Sequence, residues 1–407
     1  MSSTRELLID GHGTLLRAAV LNDGRLTDLH IDPIDGTSFG PQTGSIWRGR
    51  VERLSTGLNA AFIDLGTGKS GLLGLADIRL PGGARAPNGS TIGTLLRCGQ
   101  PVTVQVKAEA FGTKGPTLAM EISLPGRFLV HAPFRRGVAL SKRVGQGAVR
   151  AALAARLQNL TVGDGWIARS GTESVSDDVR IAEESESLAL CWRDLERRAA
   201  EATAPACLLP GPDATRRAVI GLGPRPLTRV MIDSPDRGAT FTAWCLEAAR
   251  DLMDRIQVHA GPEALFEHAD LEGAIAALAR PHAPLSNGGG LVIERTEALT
   301  AIDVNAGERG NPLAVNLEAA DEIARQLRLR NIGGIIVVDF LSMPRRDDGP
   351  RVLDRLAAAV RDDPVQTEVY EMSKLGLVEL TRARRGPALS ELPGFQGSGF
   401  QGSGFQG

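Results

Sequence analysis

The chain of 407 residues is poor in cysteine: Cys98, Cys191, Cys207 and Cys245 are widely spaced and form no C-x-x-C pair. A structural zinc site or a disulfide framework needs paired spacing, so buried free thiols in a reducing compartment are expected. Long apolar runs are also missing. The longest, such as residues 333–341, fall well short of the ~18 residues that cross a bilayer, and no membrane span is expected. The opening MSSTRELLIDGHG meets charge and glycine before an apolar stretch can form, which argues against a secretory signal and for the cytoplasm. Aromatic residues amount to 4%, thin material for a base-stacking platform. Neither sign of charge dominates: Lys+Arg 46 against Asp+Glu 48 gives net −2, unlike the basic excess of a purely electrostatic nucleic-acid binder. Local basic grooves remain compatible with that balance.

What is present describes a globular chain. Hydrophobic residues at 42% and charged residues at 23% exclude disorder, and the length suits about two to four domains at the usual ~100–200 residues each. Between residues 44 and 124, short alternating runs are cut by glycine; in VTVQVKA, Val102, Val104 and Val106 alternate with polar residues, the period of a strand with one buried face. Five such strands predict a small OB-type barrel, with residues 76–90 as its long loop. A basic cluster follows (Arg135, Arg136, Lys142, Arg143, Arg150, Arg156), then an Ala-rich helix, a strand near residues 166–169 and a charged helix near 178–204. From about residue 218 strands alternate with helices, as in an α/β layer. The final fifteen residues repeat GFQGS, a composition expected to give a flexible tail outside the core.

The stretch GGGLVIERTEALTAIDVNAGERG carries the clearest chemistry. Two apolar runs around Thr296 predict a β-hairpin, and Leu299, Ala301, Asp303 and Asn305 share one face of its second strand. A second carboxylate, Asp339, ends the strand NIGGIIVVDF, which is apolar on both sides as in a central strand. Two aspartates at neighbouring strand ends make a Mg²⁺ site of few hard oxygen ligands with room for water. The same spacing suits aspartates that cap a loop or a following helix, and spacing alone leaves both readings standing. Between them, Asn316 is expected to cap a helix that ends at Gly333 or Gly334. Near its end Arg325, Arg328 and Arg330 serve either the helix dipole or a phosphate. GTGKS at residues 66–70 is no phosphate loop, because Ile63 stands where that pattern needs glycine.

ERTEALTAIDVNAG, NLEAADEIARQLRLRNIGGIIVVDF and LGLVELTRAR closely resemble the catalytic core of the ribonuclease E/G family, and GLNAAFIDLG resembles its S1 domain. The resemblance runs in the same order from about residue 5 to residue 391. It implies a Mg²⁺-dependent endoribonuclease that cuts single-stranded RNA in processing or decay and is stimulated by a 5′-monophosphate. The implied fold is α+β and multidomain: an RNase H-like scaffold interrupted by an S1 (OB-fold) barrel, followed by a DNase I-like α/β catalytic domain. Mapped onto this chain, residues 1–43 begin the RNase H-like part and 44–124 form the S1 barrel. Residues 125–217 hold the RNase H-like and 5′-sensor region, 218–391 the catalytic domain and 392–407 the tail.

Carried over by motif, Asp303 and Asp339 are the implied metal ligands and Asn305 orients them. Arg382 matches a basic position near the active centre and is assigned a phosphate contact. Arg169 and Ser170, where the family has Arg-Thr, are the implied 5′-phosphate sensor; the plain alternative is an edge-strand arginine before a turn. Phe62 and Lys114 match stacking and basic positions of the barrel, although Phe62 suits a core equally. The chain departs from the family in four places. Leu72 replaces an aromatic, DFLSM replaces DFIDM, the segment AGERGNPLAV is short, and RRGPALSEL runs on without the C-P-x-C motif whose cysteines share a zinc between two chains. An oligomer, if formed, is therefore expected without a zinc link. These departures motivate a competing reading, an RNA-binding paralogue with weak or no catalysis; a general or DNA-directed phosphodiesterase is a weaker third.

Overall fold

A computed structural model describes residues 4–34, 40–110, 112–141, 147–345, 347–392 and 395. Lys142, Arg143 and residues 396–407 of the repeat tail lie outside the described residues. Contacts divide the chain into two compact units, one of residues 4–18 and 31–260, the other of residues 19–30 and 261 onward.

The first unit starts with β1 (Arg5–His12), followed by the hairpin of β2 (Leu15–Asn22) and β3 (Arg25–Pro33), whose far half counts with the second unit. Next come β4 (Ile46–Ser55), β5 (Ala60–Asp64), β6 (Gly71–Gly74), β7 (Pro101–Ala108) and β8 (Thr117–Ala119). They pair in the order β4-β5-β6-β8-β7, and β7 closes back on β4. The result is the expected five-stranded closed barrel. Val102, Val104 and Val106 point into its core with Val51, Ile63, Leu73 and Leu118, as their alternation requires.

Beyond the barrel, β9 (Leu124–Pro125), β10 (Leu129–His131), β11 (Val138–Leu140) and β12 (Trp166–Ala168) form a small sheet with α1 (Ala148–Leu160) and α2 (Asp178–Glu201) against it. The Asp177 carboxylate accepts the Val179 N–H and caps α2. β13 (Ala206–Leu209) pairs with β4, and β14 (Arg229–Ile232) lies between β1 and β15 (Ile256–Val258), all three parallel. Contacts place residues 218–260 with the first unit. The reason is non-local: β14 finds its hydrogen-bond partner on β1, more than 200 residues earlier, and β15 pairs in turn with β14, which no local pattern announces.

The second unit is built on β16 (His282–Pro284), β17 (Gly290–Arg295), β18 (Leu299–Asn305), β19 (Gly334–Asp339), β20 (Thr367–Met372) and β21 (Leu377–Arg382). Their order is β16-β17-β18-β19-β21-β20, with only β18 and β19 parallel. The crossover α3 (Pro312–Leu329) joins that pair, and α4 (Asp348–Ala359) follows β19. Ile302, Val304, Ile336, Val338, Val378 and Leu380 face the two helices and form the core. The opposite face is open: Ile335 is 51% exposed, so β19 is not buried on both sides as its composition suggests.

Helix α3 begins one turn earlier than expected. Asn311 is its cap, accepting the Ala314 N–H, and Pro312 takes the first helical position, where a missing N–H costs nothing. Asn316 is therefore interior and fully buried. The arginines near the end of α3 also have protein partners. Arg325 donates to Glu322 and to the Leu26 carbonyl, Arg328 pairs with Asp28, and Arg330 donates to Gln326 and the Arg280 carbonyl. The phosphate reading of these arginines gives way to one in which they hold the hairpin residues 19–30 and the helix's own surroundings.

Candidate active site

Asp303 and Asp339 are register partners on the parallel strands β18 and β19, so their side chains leave the same face from adjacent strands ~4.8 Å apart. Both are exposed on the open side of the sheet. Asn305, two residues along β18 on the same face, donates from Nδ2 to Asp303 Oδ2 at 2.9 Å. The amide holds one carboxylate oxygen and leaves the other oxygen and the neighbouring carboxylate open to solvent.

The loops at this end of the sheet are anchored to α3. The Asn316 side chain donates from Nδ2 to the Leu341 carbonyl at 2.9 Å and accepts the Leu341 N–H at 3.1 Å. Glu318 accepts both the backbone N–H and the side-chain amide of Asn287, and pairs with Arg309 at 2.7 Å. Burial raises the Glu318 carboxyl, but the bonds from Asn287 and Arg309 outweigh it and hold the group below the usual carboxylate range. On the strand beside Asp339, the turn of residues 373–376 presents the exposed Lys374 and Leu375, the latter 84% exposed. Neither the Asn316 contact nor the placement of Lys374 is signalled by local spacing; both depend on which strands lie side by side.

The donors suit magnesium. It takes one or two carboxylates and keeps several waters, which matches two exposed aspartates on a solvent-facing sheet. Zinc would draw on nitrogen or sulfur ligands.

Arg382 stands elsewhere. It lies opposite Gly334, at the far end of β19 from Asp339, with its side chain 3% exposed. Its guanidinium donates to both oxygens of Asp363, to the Ile332 carbonyl and to Asn331. The expected phosphate contact is thereby replaced by an internal ion pair: the fork is filled by protein acceptors and faces the core.

In the first unit, Arg169 follows β12 and donates to the carbonyls of Gly126 and Ile220, while its backbone N–H bonds Phe128. Ser170 is exposed, its hydroxyl 3.3 Å from that of Ser141. The turn that receives Arg169 is itself built on Glu184, whose buried carboxylate accepts the N–H groups of Arg127, Phe128 and Leu129. Burial pushes the Glu184 carboxyl upward, against those three donors. A side chain on Gly126 would collide with this carboxylate, which explains glycine there. Of the described basic cluster, Arg135 pairs with Glu121, Arg156 with Asp178, and Arg150 donates to the carbonyls of Leu140 and Ser141.

On the barrel, Phe62 is half-buried on the outer face of β5, so it is not core. Cross-strand partners Leu72 and Arg53 flank it, and the Arg53 guanidinium sits 3.6 Å from its ring centroid. Lys114 is exposed just before β8. The GTGKS segment is a turn, with Lys69 donating to the Gly112 carbonyl and Ser70 to Glu52.

The model of the ribonuclease E/G family matches residues 123–385. Ribonuclease E of Synechocystis sp. is 35% identical over 87% of this chain and 54% of its own length. Ribonuclease E of Nostoc sp. is 36% identical over 93% and 56%. Ribonuclease G of Haemophilus influenzae is 32% identical over 95% of the chain and 81% of its own length. The chain thus spans about half the length of the two ribonuclease E relatives and most of the third. With a family model covering well over half of it and relatives above 30% identity along nearly its whole length, this chain belongs to the ribonuclease E/G family.

Proposed function

We propose that the protein is an endoribonuclease acting on single-stranded RNA in processing or decay, with Asp303 and Asp339 holding one Mg²⁺ ion. The observation that carries this reading is the register pairing of the two aspartates on an open sheet face, with Asn305 fixing one of them. Bound there, the ion would neutralise charge on a phosphate oxygen and make hydroxide available near neutral pH. The chain's own contribution is geometric: two strand ends set the separation of the carboxylates, and the Asn305 amide leaves Asp303 one free oxygen. We also read Arg169 and Ser170 as the pocket for a 5′-monophosphate and the outer face around Phe62 and Lys114 as an RNA contact. The parts of the fold then correspond to the RNase H-like, S1 and DNase I-like domains of the family.

The test is cleavage of a 5′-monophosphorylated single-stranded oligoribonucleotide by purified protein. Internal cuts that require Mg²⁺, vanish with EDTA and fall more than ~100-fold in Asp303→Asn and Asp339→Asn are expected. Cleavage indifferent to both substitutions would overturn the site. The reading of a binding protein with weak or no catalysis is favoured by Leu72 beside Phe62, which narrows the stacking surface. It forecasts salt-sensitive RNA binding with no cleavage even by the unaltered protein.

A further inference from the structure

We propose that Asn316 is a positioning residue for the metal site, acting on Asp339 through the backbone of Leu341; the inference rests on the reading of Asp303 and Asp339 as ligands. Asp339 is the last residue of β19, where ladder pairing ends and the chain must turn away. Two residues on, Leu341 is held through both its N–H and its carbonyl by one side-chain amide. Two residues of chain reach ~7 Å at most, so fixing Leu341 restricts where the Asp339 carboxylate can travel. Phe340 between them is buried in the core, a second anchor on the connection.

The chemistry requires asparagine. Leu341 presents one donor and one acceptor, and a carboxamide matches both, as a neighbouring strand would. Ionised aspartate has the same shape but no donor, and it would set a carboxylate against the Leu341 carbonyl in a site where Asn316 is 0% exposed. Serine and alanine cannot reach both groups. The asymmetry of the two metal ligands also becomes intelligible. Asp303 is steadied by Asn305 directly, side chain to side chain, whereas Asp339 has its steadying contact displaced two residues along the backbone.

The experiment measures Mn²⁺ binding by electron paramagnetic resonance without RNA, and the Mg²⁺ concentration for half-maximal cleavage, in unaltered protein, Asn316→Asp, Asn316→Ser and Asp303→Asn. For the two Asn316 variants, about tenfold weaker Mn²⁺ binding and a matching rise in half-saturating Mg²⁺ are expected, with cleavage recovering as Mg²⁺ is raised. The serine variant keeps the measurement available if the buried carboxylate of the aspartate variant prevents folding. Unchanged Mn²⁺ binding in a folded Asn316 variant overturns the proposal, whether its cleavage is intact or lost at every Mg²⁺ concentration. If the unaltered protein binds no more Mn²⁺ than Asp303→Asn, the metal reading itself fails, a result distinct from failure of the Asn316 role.

Discussion

Arg382 and Asp363 face each other at 2.7 Å with side chains 3% and 1% exposed, and such a pair is costly to break because the survivor is left as an unpaired buried charge. Replacing Arg382 with alanine should lower stability by about 3–5 kcal/mol, read from urea unfolding. An RNA-contact role would instead weaken binding with stability unchanged. The sequence motif identified a basic residue at the right place in the chain but carried no information on which way the side chain points. Asn316 shows the same limit. Its residue type suits a helix cap, yet Asn311 followed by Pro312 fits the cap better, and only the neighbouring loop reveals what Asn316 bonds. That Asp303 and Asn305 share a face was legible because strand alternation puts residues two apart on one side, a rule that needs no knowledge of partners, whereas the place of Asp339 beside Asp303 depends on the pairing of β18 with β19.

At the scale of elements, the turn of residues 126–129 depends on a helix more than fifty residues later. Glu184 on α2 gathers three successive N–H groups, and the Gly126 and Phe128 carbonyls of that turn hold Arg169. Glu184→Gln keeps the shape but replaces one acceptor oxygen with an NH₂ group directed at backbone donors. On the proposed reading of Arg169 and Ser170 as the 5′-phosphate pocket, the rate advantage of 5′-monophosphate over 5′-triphosphate RNA should fall several-fold in this variant, while a substrate lacking any 5′ phosphate is cut as before; equal loss on all three would show a global effect. The barrel itself was readable in outline, since alternation in residues 101–108 and glycine punctuation are local signals. The placement of Arg53 over Phe62 was not, because it depends on the bulged register between β4 and β5.

Across a whole unit, contacts join the two ends of a long stretch of chain. The Gly11 N–H donates to Asp233 Oδ2 at 2.8 Å, and Arg237 donates to both oxygens of the same carboxylate. Burial raises the Asp233 carboxyl, but Arg237 and Gly11 outweigh it and the group lies below its ordinary range. A carboxyl lowered on folding stabilises above its unfolded value of ~3.9, and that contribution is lost as pH falls through the lowered value. Urea midpoints of the unaltered protein and Asp233→Asn should therefore differ at pH 7 and pH 5 and converge below about pH 4. A gap that widens in acid would reverse the assignment. Among the described residues no helix is long and apolar enough to cross a membrane.

The sequence by itself determined most element types, the strands of the barrel and the shared face of Asp303 and Asn305, because periodicity and turn chemistry act over a few residues. Tertiary structure alone decided that β14 pairs with β1 and β15 with β14, that residues 19–30 count with the second unit, and that Arg382 turns inward while Asn316 holds Leu341. Each of those outcomes is a hydrogen bond or ion pair between residues far apart in the chain. Buried donors and acceptors must find partners wherever the fold brings them, and that requirement has no local signature.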